Sequence, residues 1–557
     1  MITSGEPTPE FSLVTMLLDK QQSLTAVERF AQADLSCESR VEAQYRDLIP
    51  PHAPGDGEQY AFEVDLDSCS GCKACVAACH SLNGLEEEET WRGVGLLSGG
   101  SSREPVLQHV TTACHHCLDP ACLEGCPVAA YDKDPLTGIV RHLDDQCIGC
   151  QYCIFKCPYD VPTYSRSKGI VRKCDMCQDR LAANEAPACV QSCPGQAIRI
   201  SVVNKEQVIE ESEVNHFLPG APDPDYTLPT TAYKSKRPFP RNMLPADYHS
   251  ARPQHAHLPL VFMLVLTQMS VGAFVVEQLL SLSGWGASES TASRMIHLVA
   301  ALGLGLLGMG AAVFHLGRPL YAFRCWIGLR TSWLSREIVA FGLFAALATI
   351  YVLTAFNATR SNSGYSTQQL LGHASAAAGL AGLICSIMIY VDTRRPFWSG
   401  PLTTAKFFGT AAILGIPTGL LISIGASWWS EGAAFPLESI AVLCRWLMVA
   451  TAGKLIVEFA VFQHLRDRHQ TPLKRTARLM CGELALTTLR RLFFGVIGGL
   501  MLPAILMAEP ILGTQFHPLF QFLIACLMLL ALLIGELFER YLFFTAVVAP
   551  RMPGVQA

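Results

Sequence analysis

Sixteen of the 22 cysteines fall between Cys69 and Cys193, and their spacing restricts this chain more than any other feature. They form four groups. Cys69, Cys72, Cys75 and Cys79 follow C-x2-C-x2-C-x3-C, and Cys147, Cys150, Cys153 and Cys157 repeat that spacing with Pro158 next. Cys114, Cys117, Cys122 and Cys126 follow C-x2-C-x4-C-x3-C before Pro127. Cys174, Cys177, Cys189 and Cys193 follow C-x2-C-x11-C-x3-C before Pro194. Such spacing lets three nearby sulfurs reach three irons of one cubane, while the fourth is carried to a neighbouring cluster. Paired C-x2-C is also zinc spacing, but four tetrads, three of them ending in Cys-Pro, point to four 4Fe–4S clusters. A secreted disulfide scaffold would be small. The opening MITSGEPTPEFSLVTMLLDKQQ has neither a basic start before an apolar core nor a twin arginine, so thiolates held in the cytoplasm are expected.

The chain changes character near Leu258. Beyond it lie eight apolar stretches, approximately 258–282, 295–314, 337–357, 369–391, 407–425, 439–463, 492–512 and 518–547, each long enough to cross a bilayer as a helix. The expected fold is an α+β double ferredoxin-like domain followed by an all-α eight-helix transmembrane bundle. Residues 1–60 read as an N-terminal extension, 61–202 as the four-cluster domain, 203–256 as a linker, 257–550 as the membrane part and 551–557 as a tail. In the extension, SLTAVERFAQ has capping-box spacing at Thr25 and Glu28, for a helix packed on the next domain or docking a partner. The tetrad GIVR occurs at 138–141 and again at 169–172, a sign of internal duplication. GLLSGGSS, residues 95–102, lacks the lysine of a phosphate loop and reads as a plain loop. A net charge of −5 offers nothing to nucleic acid.

Alternate loops of the membrane part divide the cations unequally. Arg318, Arg324, Arg330, Arg336, Arg394, Arg395, Lys406 and the seven Lys or Arg from Arg466 to Arg491 lie on one side, with Arg294 and Arg360 on the other. By the positive-inside rule the cysteine domain and the C-terminus face the cytoplasm, in a bacterial inner membrane. Ionisable side chains inside spans are costly and therefore functional candidates: Glu277, His297, His373, Arg445, Lys454, Glu458, Glu536, Glu539 and Arg540. Lys454 with Glu458, and Glu536 with Arg540, are spaced to pair along a helix. His297 and His373 could ligate a haem, although none is expected.

Residues 61–202 resemble the four-cluster electron-transfer subunit of the dimethyl sulfoxide reductase family of molybdopterin enzymes. That resemblance implies four ligand sets: Cys69, Cys72, Cys75 and Cys193; Cys174, Cys177, Cys189 and Cys79; Cys114, Cys117, Cys122 and Cys157; and Cys147, Cys150, Cys153 and Cys126. Some relatives carry tryptophan at one cysteine of the third group; this chain does not. HLGRP (315–319), SWLSREI (332–338) and GELFERYLFF (535–544) resemble the family's eight-helix, quinol-reactive membrane anchor. The resemblance implies a quinone site, for menaquinone or ubiquinone, at His315, Arg318 and Glu337, with His315 and Glu337 handling protons. A histidine of near-neutral pKa and a carboxylate suit that task. Alternatively, His315 caps the second helix and Glu337 complements the dipole of the third.

The whole reads as a fusion of two subunits usually made separately, linking the quinone pool in the lipid bilayer to a separate molybdopterin-containing catalytic subunit that carries the substrate chemistry. Several dimethyl sulfoxide reductases expose their catalytic subunit outside the cytoplasm, whereas the charges here place the cluster domain inside, as in membrane-bound sulfite dehydrogenases. The alternatives are a quinol dehydrogenase module of polysulfide or nitrite reductase type and a membrane redox sensor.

Overall fold

The computed structural model describes residues 46–214, 217–283, 291–358, 365–429, 436–512 and 516–555. The helix expected at SLTAVERFAQ lies outside these residues.

Strand β1 (Glu58–Asp65) pairs antiparallel with β8 (Ile198–Asn204), Val64 facing Ile198. Five residues beyond Val64 stands Cys69, and five before Ile198 stands Cys193, so this one pairing draws the first and last cysteine groups together. β2 (Gly93–Gly100) and β3 (Pro105–Thr112) form a hairpin. β4 (Tyr131–Lys133) with β5 (Val140–His142), and β6 (Thr163–Ser165) with β7 (Ile170–Arg172), form two small antiparallel pairs. The GIVR repeat supplies β5 and β7, each entered through a glycine in the left-handed region, Gly138 at φ 70° and Gly169 at φ 65°. The duplication extends to the cysteine turns. Gly71 and Lys73 have φ 73° and 62°, and Gly149 and Gln151 have 70° and 60°, which curls the backbone at each turn so that successive sulfurs face one point.

Two expectations change. GLLSGGSS is mostly strand, because the glycines of β2 lie under another segment: a Cβ at Gly95 would stand 2.2 Å from the Pro553 carbonyl. Residues 203–256 are more than a linker. They contain the helix Lys205–Glu213, β9 (Ala232–Lys234), parallel to β1, and β10 (Leu244–Pro245), which pairs with β2.

Among the described residues, eight helices follow that are long and apolar enough to cross a membrane: α1 (Leu258–Leu282), α2 (Thr291–Val313), α3 (Trp333–Ala358), α4 (Tyr365–Val391), α5 (Gly400–Trp429), α6 (Leu437–Phe459), α7 (Ala485–Ala508, through a π turn at Ile497–Met501) and α8 (Pro518–Thr545). Helices α1 and α5 cross at Gly272, where a Cβ would meet the Ala411 carbonyl at 1.9 Å; only glycine admits so close an approach. α5 and α7 begin seven residues earlier than their apolar runs, since Lys406 and Arg491 are buried and paired rather than left in loops.

The two halves share their cores. Tyr152 of the cysteine domain packs among buried residues of the helices, and Cys325 of the loop between α2 and α3 packs among Cys126, Cys147 and Cys153. The tail returns to the cysteine domain, where Met552 is buried and Arg551 pairs with Asp247 at 2.6 Å.

Candidate functional site

Cys69, Cys72, Cys75 and Cys193 line one pocket. Cys114, Cys117, Cys122 and Cys157 line another, and Cys126, Cys147, Cys150 and Cys153 a third. Cys79, Cys174, Cys177 and Cys189 form a fourth set, their charges within reach of one another. All described cysteines are free thiols.

The surroundings suit thiolate-ligated iron–sulfur clusters. Backbone N–H groups of Gly149, Met176, Ala130 and Ala197 donate to the sulfurs of Cys147, Cys174, Cys126 and Cys193 at 3.4, 3.4, 3.2 and 3.3 Å. Such bonds stabilise the negative charge of a thiolate-ligated cluster. Burial pushes the thiols of Cys79 and Cys157 up to about 12, and those of Cys126 and Cys177 up to about 11. Thiols raised so far need a bound metal to become thiolates at neutral pH.

Three buried side chains stand between the sets. Tyr131 lies near Cys122, Cys126 and Cys153. Lys173 faces Cys114, Cys122 and Cys174. Arg92, 2% exposed, faces Cys75, Cys79, Cys174 and Cys189. In the sequence each is an isolated residue without a spacing rule; only Lys173, which directly precedes Cys174, stands beside one of the sixteen cysteines.

The loop from His315 to Ser332 lies against the set formed by Cys126, Cys147, Cys150 and Cys153. Gly328 N–H donates to the Pro127 carbonyl at 2.9 Å, Arg318 N–H to Ile148 at 3.0 Å, and the Ser332 hydroxyl to Gly125 at 2.8 Å. The guanidinium groups of Arg318 and Arg324 donate to the Asp144 and Asp145 carbonyls at 2.8 and 2.9 Å. Two arginines that carry the loop's topological charge therefore also bind the cysteine domain.

His315 faces the Cys150 backbone, its Nε2 buried without a partner, and burial lowers its pKa to about 4. Its ring lies edge-on to His257, with centroids 5.2 Å apart, and His257 packs against Phe155 and Phe544. Glu337, 5% exposed on α3, accepts from the Ser386 hydroxyl of α4. Tyr390, one turn beyond Ser386, lies within reach of the Glu337 charge and packs on Phe544. His315 and Glu337 thus border one aromatic cluster from two sides. His257 has no motif around it in the sequence.

The other candidates separate. His297 donates to the Ala273 carbonyl at 2.9 Å, whereas His373 and Arg445 are exposed on their helices. Glu277 pairs with Arg294 at 2.9 Å and accepts from Tyr351 at 3.1 Å. Lys454 lies 3.3 Å from Glu458, as their spacing suggests. The expected pairing of Glu536 with Arg540 is corrected: Glu536 binds Lys454 and Arg491 of neighbouring helices, and Arg540 binds Gln268 and Thr410 of neighbouring helices and the adjacent Glu539 at 2.8 Å.

Residues 254–546, more than half of the chain, match the family described as the DMSO reductase anchor subunit (DmsC). This protein belongs to that family. Ahead of the anchor, residues 106–203 match a 4Fe–4S dicluster domain. The DmsC-family protein is 37% identical over 155 residues to the B subunit of anaerobic dimethyl sulfoxide reductase of Escherichia coli (strain K12), covering 26% of this chain and 75% of that one. The corresponding B subunit of Haemophilus influenzae is 32% identical over 189 residues, covering 32% and 91%. The iron–sulfur subunit of the nitrate-inducible formate dehydrogenase of E. coli is 33% identical over 184 residues, covering 30% and 62%. The DmsC-family protein thus joins a 4Fe–4S electron-transfer domain to a membrane anchor.

Proposed function

We propose that this chain is the electron-transfer and anchor subunit of a molybdopterin oxidoreductase complex, moving electrons between a quinone and a separate catalytic subunit through four 4Fe–4S clusters. In this reading the chain consists of an extension to residue 60, a double ferredoxin-like domain to 202, a connection to 256 and an anchor to 550. The observation that carries it is the order of the thiol sets. The set of Cys126, Cys147, Cys150 and Cys153 lies under the His315 loop. Tyr131 joins it to the set of Cys114, Cys117, Cys122 and Cys157; Lys173 joins that to Cys79, Cys174, Cys177 and Cys189; Arg92 joins that to Cys69, Cys72, Cys75 and Cys193.

A cubane cluster accepts and passes on one electron at a time. The chain's own residues do the rest. Sixteen thiolates hold the clusters, and the Arg92 and Lys173 cations offset their negative charge. Cys72, exposed at the far end, marks the face for the catalytic partner. At the membrane end Glu337 and His315 take or return the protons that accompany quinol chemistry, and Arg318 fixes the loop that carries His315. The excess of cations on the loops beside the cluster domain supports a position for it on the cytoplasmic side of the inner membrane. Purification of the intact complex from native membranes tests the partner. A molybdenum-containing subunit is expected, and a multihaem cytochrome in its place would overturn the proposal.

A further inference from the structure

We propose that a buried network of seven charged side chains on α5, α6, α7 and α8 conducts protons between the quinone site and water on the side of the iron–sulfur domain. This rests on the quinol reading above.

The network is continuous. Arg491 of α7 donates to both carboxylate oxygens of Glu458 on α6 at 2.8 and 2.9 Å, and reaches Glu536 of α8 at 2.8 Å. Lys454 pairs with Glu536 and donates to Thr410 of α5 at 2.8 Å. Thr410 donates to Glu536 at 2.6 Å and accepts from Arg540 at 2.9 Å. Arg540 also donates to Gln268 of α1 at 2.7 Å and lies 2.8 Å from Glu539, which Lys406 approaches at 3.9 Å. Every charged member is buried.

A charged side chain inside a membrane helix is costly, and seven gathered in one bundle multiply that cost. Pairing offsets much of that, yet buried ion pairs are often no more stabilising than apolar packing of the same volume. Holding the helices together does not require them. A second observation points to water. Arg491 Nη1, Arg540 Nε, Gln268 Nε2 and Glu539 Oε1 are buried without a hydrogen bond. So many unsatisfied polar atoms in one place form a site for internal water molecules, and water between carboxylates is what proton transfer needs.

The ends of the network give its direction. Arg491 is followed back along α7 by the exposed Arg490, and Glu458 stands just before the turn Ala460–Arg466, whose Arg466 is exposed. At the other end, Arg540 stacks on Phe407 and Phe543, both packed on Tyr390, which lies within reach of the charges of both Arg540 and Glu337. All seven charged members lie in the helix halves nearest the iron–sulfur domain, while the far halves of α5 and α8 have no charged residue among those described. Oxidation of one quinol yields a quinone, two electrons and two protons. The electrons enter the clusters, and the protons pass from Glu337 through the network to water beside the iron–sulfur domain, so no net charge crosses the membrane.

The test uses full-length, cluster-loaded protein in liposomes with a quinol in the bilayer and ferricyanide outside, which takes electrons only from outward-facing iron–sulfur domains. One proton per electron should appear outside, with no acidification of the lumen; acidification of the lumen would overturn the proposal without needing any variant. Glu458→Gln should slow quinol-driven cluster reduction by about 100-fold and raise its solvent isotope effect, with Glu458→Asp restoring much of the rate and the iron content unchanged. A wild-type rate and isotope effect in Glu458→Gln would also overturn it. Wild-type clusters that dithionite reduces and quinol does not would instead overturn the quinol reading, and this inference with it.

Discussion

Lys156, the residue before Cys157, donates to Asp392 in the loop between α4 and α5 at 2.7 Å, and its side chain is 3% exposed. One ion pair therefore ties a cysteine turn to the membrane part. Removing the carboxylate leaves a buried ammonium with the Asp392 carbonyl and Tyr226 as its remaining polar neighbours. Asp392→Ala should destabilise the docked arrangement by about 2 kcal/mol, seen as earlier loss of the visible cluster absorbance on heating.

The four thiol sets predict about sixteen irons and as much acid-labile sulfide per chain. Metal analysis of anaerobically purified protein checks this. A content near four irons, or zinc in place of iron, would remove the four-cluster assignment.

Gly317 lies where the anchor loop touches the cysteine domain, and a Cβ there would stand 2.0 Å from the Gly169 carbonyl and 2.7 Å from the Tyr164 hydroxyl. Gly149 and Gly169 in turn face Gly317. Gly317→Ala must push the loop off the domain. Electron transfer from quinol should slow while iron content and dithionite reduction stay at wild-type levels, as transient absorbance of the variant would record.

His257 gives the docking surface a pH dependence. Burial, then the nearby His315, His255 and Arg395, lower its pKa from 6.5 to about 3. Above pH 6.5 the residue is neutral folded or unfolded and contributes nothing. Below it the unfolded state binds a proton that the folded one refuses, so stability falls with pH until about 3. Thermal midpoints should drop between about pH 7 and about pH 5, and His257→Asn should flatten that drop.

The parts legible in the sequence are those where chemistry leaves one arrangement. Four cysteine tetrads at these spacings suit clusters better than zinc, and an apolar run of span length has few other places to go. Helix starts are harder. Lys406 and Arg491 look like loop residues, and only their partners Glu539 and Glu458, distant in sequence, allow them inside. The β2 glycines suggest a loop because what makes them strand residues is the tail, some 450 positions later in the chain. Arg92, Lys173 and His257 have no pattern of their own; their roles come from what the fold places beside them.

Quinol-driven reduction of the clusters tests the account most directly. Oxidised, anaerobic protein is mixed with a reduced quinone analogue while the cluster absorbance is followed. The account predicts bleaching in the wild type and a rate about 100-fold lower in Glu337→Gln, with the iron content of both the same. Clusters that dithionite bleaches but quinol leaves oxidised, or a Glu337→Gln variant as fast as the wild type, would contradict it.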